Sequence, residues 1–589
     1  MTTKIKLENL RIKMRETGID AYIIPSSDPH KSEYVAERWK SREWISGFTG
    51  SAGLVVVTQD HAGLFTDSRY FLQALDELEG TGIQLHKVYN QFVPQHFSWL
   101  KDNLKEGATL GFDGKTLTAA EVSRCQSILP NIKLSYEQDL IDSIWENRPG
   151  VPTNQVFHHD EKYCGVSSSK KLEQLRSKMS GEDIDTFVIT TLDDIAWLYN
   201  IRCNDVEYNP VAIAYSVIEH EHAFLFIDDV KLSPENKARI EGYGVTIKPY
   251  DAIGAYLTAQ DASMVIGFDS YKLNQELFDS IVSKKKATKS FTTQLKAIKN
   301  ETEIKNFRTA MEKDGVALVH TFMWLEEHVG KKRITEFDVS EKLAHFRSQQ
   351  EGYFGESFGA IVGYKSNGAV IHYRADKDKS KEIEKNGVLL VDSGGQYFDG
   401  TTDITRTFCF DEPQEEVKKA YTAVLKGHIA LDKAVYPEGT IGGQLDVLAR
   451  KALWDEGLNY LHGTGHGVGF FLNVHEDPQG FTAGSSPRSN TTLKEGMVTS
   501  NEPGYYKDNA FGIRIENLIL TTKHKNAGFY EHETLTLYPI ETKMIDETKM
   551  DHTEISWLNR YHHEVYERLS PRLNEKEQDW LKEKCKPLR

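Results

Sequence analysis

The sequence predicts an α/β (α+β) protein in which two similar α/β domains precede a larger domain that carries the chemistry. An amphipathic helix pattern precedes the strand-like run 21–24, and a charged helix pattern precedes the strand-like run 186–190 in the same order. After about residue 298, glycine, histidine and short β-like runs become frequent. We therefore expect domains at 1–150, 151–298 and 299–540, followed by a C-terminal extension at 541–589.

Local signals mark the two main boundaries. The run Arg148-Pro149-Gly150-Val151-Pro152 is typical of a linker or a domain edge. Asn300 and Glu303 have the spacing of a capping box, and an apolar stripe at helical spacing follows them. A long helix is therefore expected to begin at this point.

Composition excludes several classes of function. The 589 residues are 39% hydrophobic and 27% charged, which is typical of a soluble globular protein. The formal net charge of −16 argues against nucleic acid or an anionic membrane as the main partner. The five cysteines have no C-x-x-C spacing, and neither a secretory leader nor a membrane span is evident. We expect a cytoplasmic protein.

Acidic residues stand at the ends of strand-like runs. Asp392 follows the buried-strand run 388–391, and Asp403 begins a second run that is expected to form a hairpin with the first. A hairpin of this kind brings the two carboxylates together. Because adjacent buried carboxylates repel each other, a bound cation is the natural way to stabilise them.

Three further segments extend this pattern. His466 lies in the glycine-rich run His-Gly-Thr-Gly-His-Gly-Val-Gly, where the glycines are expected to adopt positive φ and to allow close approach of the backbone. Glu502 lies in a turn, and Glu516 lies in an alternating strand with Arg514 on the same side. Four carboxylates and one imidazole suit Mn²⁺, with Co²⁺, Zn²⁺ or Fe²⁺ as alternatives. They exceed the needs of one ion and predict two ions about 3.5–4 Å apart.

The order of these motifs resembles that of the pita-bread metallopeptidases, a family that includes methionine aminopeptidases, prolidases and aminopeptidases P. The motifs are Asp392, Asp403-x-Thr-Arg, His-Gly-x-Gly-His-Gly-x-Gly, Asn-Glu-Pro-Gly and Arg-x-Glu-Asn. Three more histidines resemble the accessory histidines of the proline-specific branch: His372, His462 and His475. The two N-terminal segments, with Ser32-Glu33-Tyr34 and Thr66-Asp67-Ser68-Arg69, resemble the creatinase-like domains of its long, three-domain members.

The resemblance implies a role for each ligand. Asp392 is expected to chelate one metal, His466 and Glu502 to hold the other, and Asp403 and Glu516 to bridge the pair. A hydroxide between the ions is the expected nucleophile, and Glu502 is expected to take a proton from water.

The resemblance also implies further partners. His372, His462 and His475 are expected to bind substrate and take part in catalysis, with His462 near a proline ring. The implied substrates are peptides with proline at position 2, and the implied assembly is a homodimer. Arg69 is a candidate substrate-binding residue that either reaches an active site across a subunit boundary or forms a local salt bridge.

Other readings compete with this one. A prolidase acting on dipeptides shares the ligand set, although the two tandem N-terminal domains favour an aminopeptidase. A catalytically inactive pita-bread module used for binding is expected to lose metal ligands, and all five are present. Gly355-x-Ser-x-Gly359 matches a nucleophile elbow, but the next residues read as a strand and a turn, so we interpret it as coincidence. No His-Glu-x-x-His is present, which excludes a zincin.

Overall fold

The chain divides into two compact units in the computed structural model, which describes residues 1–89 and 93–589. The first unit comprises residues 1–159 and 166–292, and the second comprises residues 160–165 and 293–589. Among the described residues, no helix combines the length and the hydrophobicity that a bilayer span requires.

The first unit begins with an α/β domain whose sheet is covered on both faces. Tyr22 and Ile24 of its central strand lie in one hydrophobic cluster, while Ala21 and Ile23 lie in another. Alternate side chains of a strand point to opposite faces, so both faces of this strand are buried. The elements are α1 Thr3–Thr17, β1 Ala21–Pro25, α2 Ser41–Ser46, β2 Leu54–Thr58, β3 Ala62–Asp67, α3 Phe71–Glu77, β4 Gln84–Val88, α4 Gln95–Asn103, β5 Thr109–Gly111, α5 Ala119–Ile128 and β6 Lys133–Ser135.

A second α/β domain follows in the same unit. Its elements are β7 Phe157–His158, α6 Glu161–Cys164 (which belongs to the second unit), α7 Ser168–Gly181, β8 Thr186–Ile189, α8 Leu192–Tyr199, β9 Ile201–Arg202, β10 Ala214–Glu219, β11 Ala223–Ile227, α9 Pro234–Gly242, β12 Val245–Lys248, α10 Ile253–Thr258, β13 Val265–Phe268, α11 Gln275–Ser280, β14 Lys284–Ala287 and α12 Phe291–Lys296 (which crosses into the second unit).

The two domains share one sheet topology over the described residues. The strand order is β4-β3-β2-β1-β5-β6 in the first and β12-β11-β10-β8-β13-β14 in the second. In chain order, the first strand of each sheet pairs antiparallel with the second and parallel with the fifth. The prediction of a second copy of the same domain is confirmed.

The second unit is the larger α+β domain. Its elements are α13 Glu301–His328, α14 Glu336–Ser348, β15 Tyr353–Glu356, β16 Ile361–Tyr364, β17 Val388–Ser393, β18 Gly395–Tyr397, β19 Gly400–Thr401, β20 Ile404–Cys409, α15 Glu415–Asp432, β21 Tyr436–Pro437, α16 Gly442–Asp455, β22 Gly465–Gly467, β23 Glu476–Phe481, β24 Val498–Asn501, β25 Gly504–Lys507, β26 Phe511–Arg514, β27 Asn517–Lys523, β28 Phe529–Thr534, α17 His552–Leu569 and α18 Glu575–Lys584.

Three sheets of this unit position the site. The strands run in the orders β16-β17-β20, β21-β28-β27-β24-β22-β23 and β25-β26. Helix α13 begins directly after Asn300, and both hydrogen bonds of its capping box with Glu303 are present, as predicted. The core on which α13 packs also includes Trp557 of α17 and Leu581 of α18. The C-terminal helices are therefore part of the same hydrophobic core, while the exact domain limits stay predictions.

The nucleophile-elbow match is a coincidence. Ser357 lies between β15 and β16 and is fully buried. Its hydroxyl donates to the carbonyl oxygen of Thr402 at 2.9 Å, and the next regular element is the strand β16. A nucleophile elbow requires a helix at that point.

Candidate metal centre

An antiparallel hairpin places the first two carboxylates. Strand β17 pairs with β20 so that Asp392 lies opposite Thr405, and Asp403 stands immediately before β20. Asp392 is 7% exposed and Asp403 is 4% exposed. The predicted hairpin is therefore present, and both carboxylates are buried beside it.

The remaining predicted ligands come from different strands of the same unit. His466 is the middle residue of β22, and Glu502 directly follows β24. The predicted continuous strand around Glu516 is wrong, because β26 ends at Arg514 and β27 begins at Asn517. At this interruption the backbone N–H of Glu516 donates to the carbonyl oxygen of Thr405 at 3.1 Å. The break in the strand thus ties Glu516 to the hairpin that carries the two aspartates.

These side chains converge on one buried point. Asp403, His466 and Glu516 each offer a ligand atom within 4.8 Å of the other two. The Nε2 atom of His466 lies 3.4 Å from Asp403 Oδ2 and 3.5 Å from Glu502 Oε1. Asp392 Oδ1 is buried and has no hydrogen-bond partner within residues 1–89 and 93–589. An unpartnered buried carboxylate oxygen beside this donor set fits a site for hard or borderline divalent cations.

Burial and mutual repulsion perturb the acids strongly. The pKa of Asp403 is raised well above its usual value by burial and by the charges of Glu516, Asp392 and Glu502. The pKa of Glu516 is raised well above its usual value by burial and by the charges of Asp392 and Glu502. Burial raises the pKa of Glu502 to about 7, with Asp392 adding to the shift and Arg514 opposing it. The cluster therefore holds protons near neutral pH unless a cation replaces them.

The glycines beside His466 serve close packing. A Cβ at Gly465 would lie 1.8 Å from the carbonyl oxygen of Ser500, and one at Gly467 would lie 2.4 Å from that of Glu476. Neither glycine has positive φ, so that part of the prediction is wrong. The neighbouring strands can approach β22 from both sides only because these two residues lack side chains.

Arg514 connects two of the candidate ligands. Its Nη2 donates to Asp392 Oδ2 at 2.6 Å, and its Nε donates to Thr405 Oγ1 at 3.1 Å. Thr405 in turn donates to Glu516 Oε2 at 2.7 Å. The third contact of Arg514 is to the hydroxyl of Tyr506, at 2.6 Å. One guanidinium therefore orients Asp392 directly and Glu516 through a threonine.

Arg406 holds the backbone of the segments that contain Thr405 and Glu516. It is buried, and it donates to uncharged acceptors at 2.7 to 3.0 Å: the carbonyl oxygens of Thr405, Glu516, Tyr538 and Pro539, Oδ1 of Asn517, and the hydroxyl of Tyr561. The Tyr561 hydroxyl also bonds to the carbonyl oxygen of Tyr538 at 2.9 Å. Tyr561 belongs to α17, so the C-terminal extension takes part in holding the metal-site backbone.

Two of the three accessory histidines, His475 and His462, lie beside predicted metal ligands. The ring of His475 meets that of His466 edge-on, with centroids 4.3 Å apart. His462 Nε2 bonds the Tyr506 hydroxyl at 2.8 Å, and His462 Nδ1 lies 4.0 Å from Glu502 Oε2. His372 is half-buried, a few residues after a short 3₁₀ turn that packs against β17 and β26.

Arg69 belongs to the first unit. Its guanidinium donates to both carboxylate oxygens of Asp67, at 2.8 and 2.7 Å. The local salt bridge foreseen from the sequence is therefore present, and a role in substrate binding stays a prediction.

Sequence reasoning missed the residues that orient the ligands. Thr405 could have been found, since it alternates with Asp403 in a strand-like run and shares its face. Strand alternation predicts Arg514 on the same side as Glu516, but the pairing of Arg514 with Asp392 has no sequence signal. Tyr561 could not have been found, because it reaches the site from a segment distant in sequence. Tyr506 lies between Glu502 and Arg514 in the chain, but its contacts with Arg514 and His462 have no sequence signal.

Replacing Thr405 tests the orienting contacts. In Thr405→Val, the Arg514 Nε–H and Glu516 lose their shared partner, while the volume of the side chain is kept. We expect affinity for divalent metal to fall about 10- to 100-fold, as for other residues that orient metal ligands. Equilibrium dialysis measures this affinity. Thr405→Ser keeps the hydroxyl and should bind metal nearly as the original chain does; equal affinity for both variants would contradict the role of the hydroxyl.

The raised carboxyl pKa values predict how metal-free protein responds to pH. A raised folded-state pKa means that the protonated acids favour the folded state, and this contribution is lost as pH rises through the folded pKa, about 7 for Glu502. The transition temperature of chelated protein should therefore fall between about pH 5 and pH 8. Mn²⁺-loaded protein should show a smaller fall, because the cation replaces the protons. Calorimetry of both forms measures this, and parallel pH profiles would contradict it.

Models of known protein families match nearly the whole chain. Metallopeptidase family M24 matches residues 305–523, and the C-terminal region of peptidase M24 matches residues 528–588. The Creatinase/Prolidase N-terminal domain matches twice, at residues 6–144 and 147–303. These two matches correspond to the two α/β domains that share one strand order.

Full-length relatives lead to the same assignment. Aminopeptidase P2 of Arabidopsis thaliana is 41% identical, over 99% of this chain and 88% of that protein. Xaa-Pro aminopeptidase 1 of Dictyostelium discoideum is 39% identical, over 99% of this chain and 96% of that protein. The crystal structure of X-prolyl aminopeptidase from Caenorhabditis elegans, described as a cytosolic enzyme with a di-nuclear active site, matches with a TM-score of 0.96 and 34% identity over 100% of both chains. With its buried acidic centre and its two creatinase/prolidase-type N-terminal domains, the chain belongs to metallopeptidase family M24.

Proposed function

We propose that this chain is an aminopeptidase that uses two divalent metal ions to hydrolyse the N-terminal Xaa-Pro bond of peptides. The observation that carries the proposal is the convergence of Asp403, Glu502 and Glu516 on His466, beside Asp392, whose Oδ1 has no hydrogen-bond partner among the described residues. Relatives that match almost the full length of the chain are named for the same activity.

The ligand assignment follows the resemblance and is compatible with the geometry. Asp392 would chelate one ion, His466 and Glu502 the other, and Asp403 and Glu516 would bridge. Mn²⁺ suits the oxygen-rich donors, with Co²⁺ and Zn²⁺ as alternatives. When bound, the ions would polarise the scissile carbonyl and lower the pKa of water toward neutrality.

The substrate class follows from the chemistry of the bond. An Xaa-Pro bond is a tertiary amide without an N–H, so an enzyme cannot recognise it through that donor. The departing proline nitrogen nevertheless needs a proton. A cation-binding site with a proton carrier meets both conditions. If the free α-amine of the substrate binds beside the cations, only the first residue can be removed.

Glu502 is the best-placed proton carrier. In the metal-free protein, burial raises the pKa of Glu502 to about 7; a bound cation would lower that pKa and so favour the carboxylate form, which accepts a proton. It lies between His466 and His462, with its two oxygens 3.5 and 4.0 Å from their ring nitrogens. Glu502 would thus take a proton from water and deliver it to the leaving nitrogen.

The histidines would bind and orient the substrate. His462 is held by Tyr506, which Arg514 also contacts, and would lie beside the proline ring. His475 stands edge-on to His466 and would stabilise the developing charge on the carbonyl oxygen together with His372. Arg69 stays a weaker candidate for substrate binding, because it already pairs with Asp67.

Further parts of the proposal concern the setting of the enzyme. The proposed domains are 1–150, 151–298 and 299–540, with an extension at 541–589. We also propose a homodimer located in the cytoplasm, acting on peptides and binding neither nucleic acid nor membrane. The charge of −16 supports the last point.

Peptide cleavage tests the proposal directly. Chelated protein is given a peptide that starts Arg-Pro-Pro, with and without Mn²⁺, beside a tripeptide Xaa-Pro-Xaa and a dipeptide Xaa-Pro. We expect Mn²⁺-dependent release of the first residue from the longer peptides. Chromatography of the free amino acids measures this release. Cleavage of the dipeptide alone would identify a prolidase. No release with any divalent metal would indicate a binding module.

Replacing Glu502 tests the proton carrier. Glu502→Gln keeps the size and the hydrogen-bonding capacity of the side chain but removes its charge and its basicity. We expect turnover to fall at least about 100-fold at saturating metal, while the circular dichroism spectrum is unchanged. Near-normal turnover would show that another residue moves the proton.

A further inference from the structure

A pair of histidines in the first α/β domain meets on one face of its sheet. His61 stands directly before β3, and His86 lies on the neighbouring strand β4 opposite Phe65. Their Nε2 atoms are 3.1 Å apart. The pair belongs to the first unit, whereas the candidate metal centre belongs to the second.

Aromatic contacts fix the orientation of both imidazoles. The ring of His86 stacks on Phe65, with centroids 4.3 Å apart and planes 11° apart. The ring of His61 stacks on Trp99 of α4, with centroids 4.6 Å apart. The two imidazole planes lie at 76° to each other, which points one edge at the other. The two Nε2 atoms therefore lie side by side at the meeting edges of the rings.

Gly63 makes room for the pair. A Cβ at this position would lie 2.7 Å from Nε2 of His86 and 2.8 Å from Nε2 of His61. Any other residue would therefore push the two imidazoles apart. The absence of a side chain on β3 creates the space in which the nitrogens meet.

The second α/β domain has the same strand order, so its equivalent positions can be compared with those of the histidine pair. There His222 stands directly before β11, as His61 stands before β3, and its carbonyl oxygen closes the hairpin in the same way. The strand register places Phe224 at the position of Gly63 and Lys248 at the position of His86. Only the first copy combines the second imidazole with the glycine that accommodates it.

Both imidazoles are in the uncharged form that metal binding requires. Burial lowers the pKa of both His61 and His86, so both rings are neutral at neutral pH. A neutral imidazole offers a lone pair on one nitrogen, and metal binding requires that form. Two nitrogens on one tetrahedral Zn²⁺ lie about 3.3 Å apart, and on one square-planar ion about 2.9 Å apart. The observed 3.1 Å lies between these values.

We propose that His61 and His86 form a second metal site, which binds a borderline divalent cation such as Zn²⁺, Ni²⁺ or Cu²⁺ through two imidazole nitrogens. Both residues are partly exposed, which leaves the outer coordination positions to water. The carboxylate of Asp60, next in sequence to His61, adds a favourable charge, and Arg11 adds an unfavourable one. The site is selective against Mn²⁺, because nitrogen donors favour later transition metals over the oxygen-seeking ion.

A zinc-binding comparison tests the site on the full chain. Mn²⁺-loaded protein is dialysed against Zn²⁺ in excess Mn²⁺, and bound zinc is counted for the original chain and for His61→Ala, His86→Ala and His86→Lys. The catalytic centre is the same in all of them, so the difference isolates the second site. We expect one zinc equivalent to be lost, or to bind at least about tenfold more weakly, in each variant.

His222→Ala is the matched control, because it removes a histidine from the equivalent hairpin of the second domain. It should bind as much zinc as the original chain, and circular dichroism should show that all variants remain folded. His86→Lys copies the residue of the second domain and guards against misfolding of an alanine variant. Equal zinc binding by the original chain and the His86 variants would overturn the site and leave the pair as a simple N–H···N hydrogen bond.

Discussion

The crowding of four carboxylates around one imidazole, three of them buried and Glu502 partly exposed, is the constraint on which this structure depends. Like charges at such short range cannot all stay ionised in a protein interior without compensation. The raised pKa values of Asp403, Glu502 and Glu516 express that cost directly. Divalent cations remove it, which makes the metal ions part of the folded state as well as of the chemistry. Local departures from regular structure around the centre follow from the need to bring the acids together.

Two buried arginines, Arg514 and Arg406, stabilise the acidic cluster through different kinds of contact. Arg514 pairs with the carboxylate of Asp392 and so offsets negative charge at the centre. Arg406 bonds to backbone carbonyls and uncharged side chains around Thr405 and Glu516, and so fixes the position of the segments that carry the ligands. Separating charge compensation from positioning allows the ligands to remain available to cations while their backbone stays rigid.

The sequence predicted the fold class and the ligand-bearing segments, but not the contacts between segments. Asp392 and Asp403 could be paired because a hairpin is local and its alternation is visible. The capping box at Asn300 was recognisable for the same reason. The interruption between Arg514 and Glu516 was not, since it depends on a hydrogen bond from Glu516 to Thr405 that only the tertiary fold creates. Close backbone approach at the glycines beside His466 was expected, but the two strands that approach them could not be identified, because such tertiary contacts leave no trace in local sequence.

Arg406 bonds to Tyr561, which lies far beyond every candidate ligand in the chain. A ribosome makes the protein from its N-terminus, so the acidic ligands are all synthesised before the helix that completes the support of their backbone. During translation the nascent chain therefore carries the cation-binding groups without the contact that holds them in place. The backbone of the centre therefore gains its full support only once α17 has been synthesised and packed.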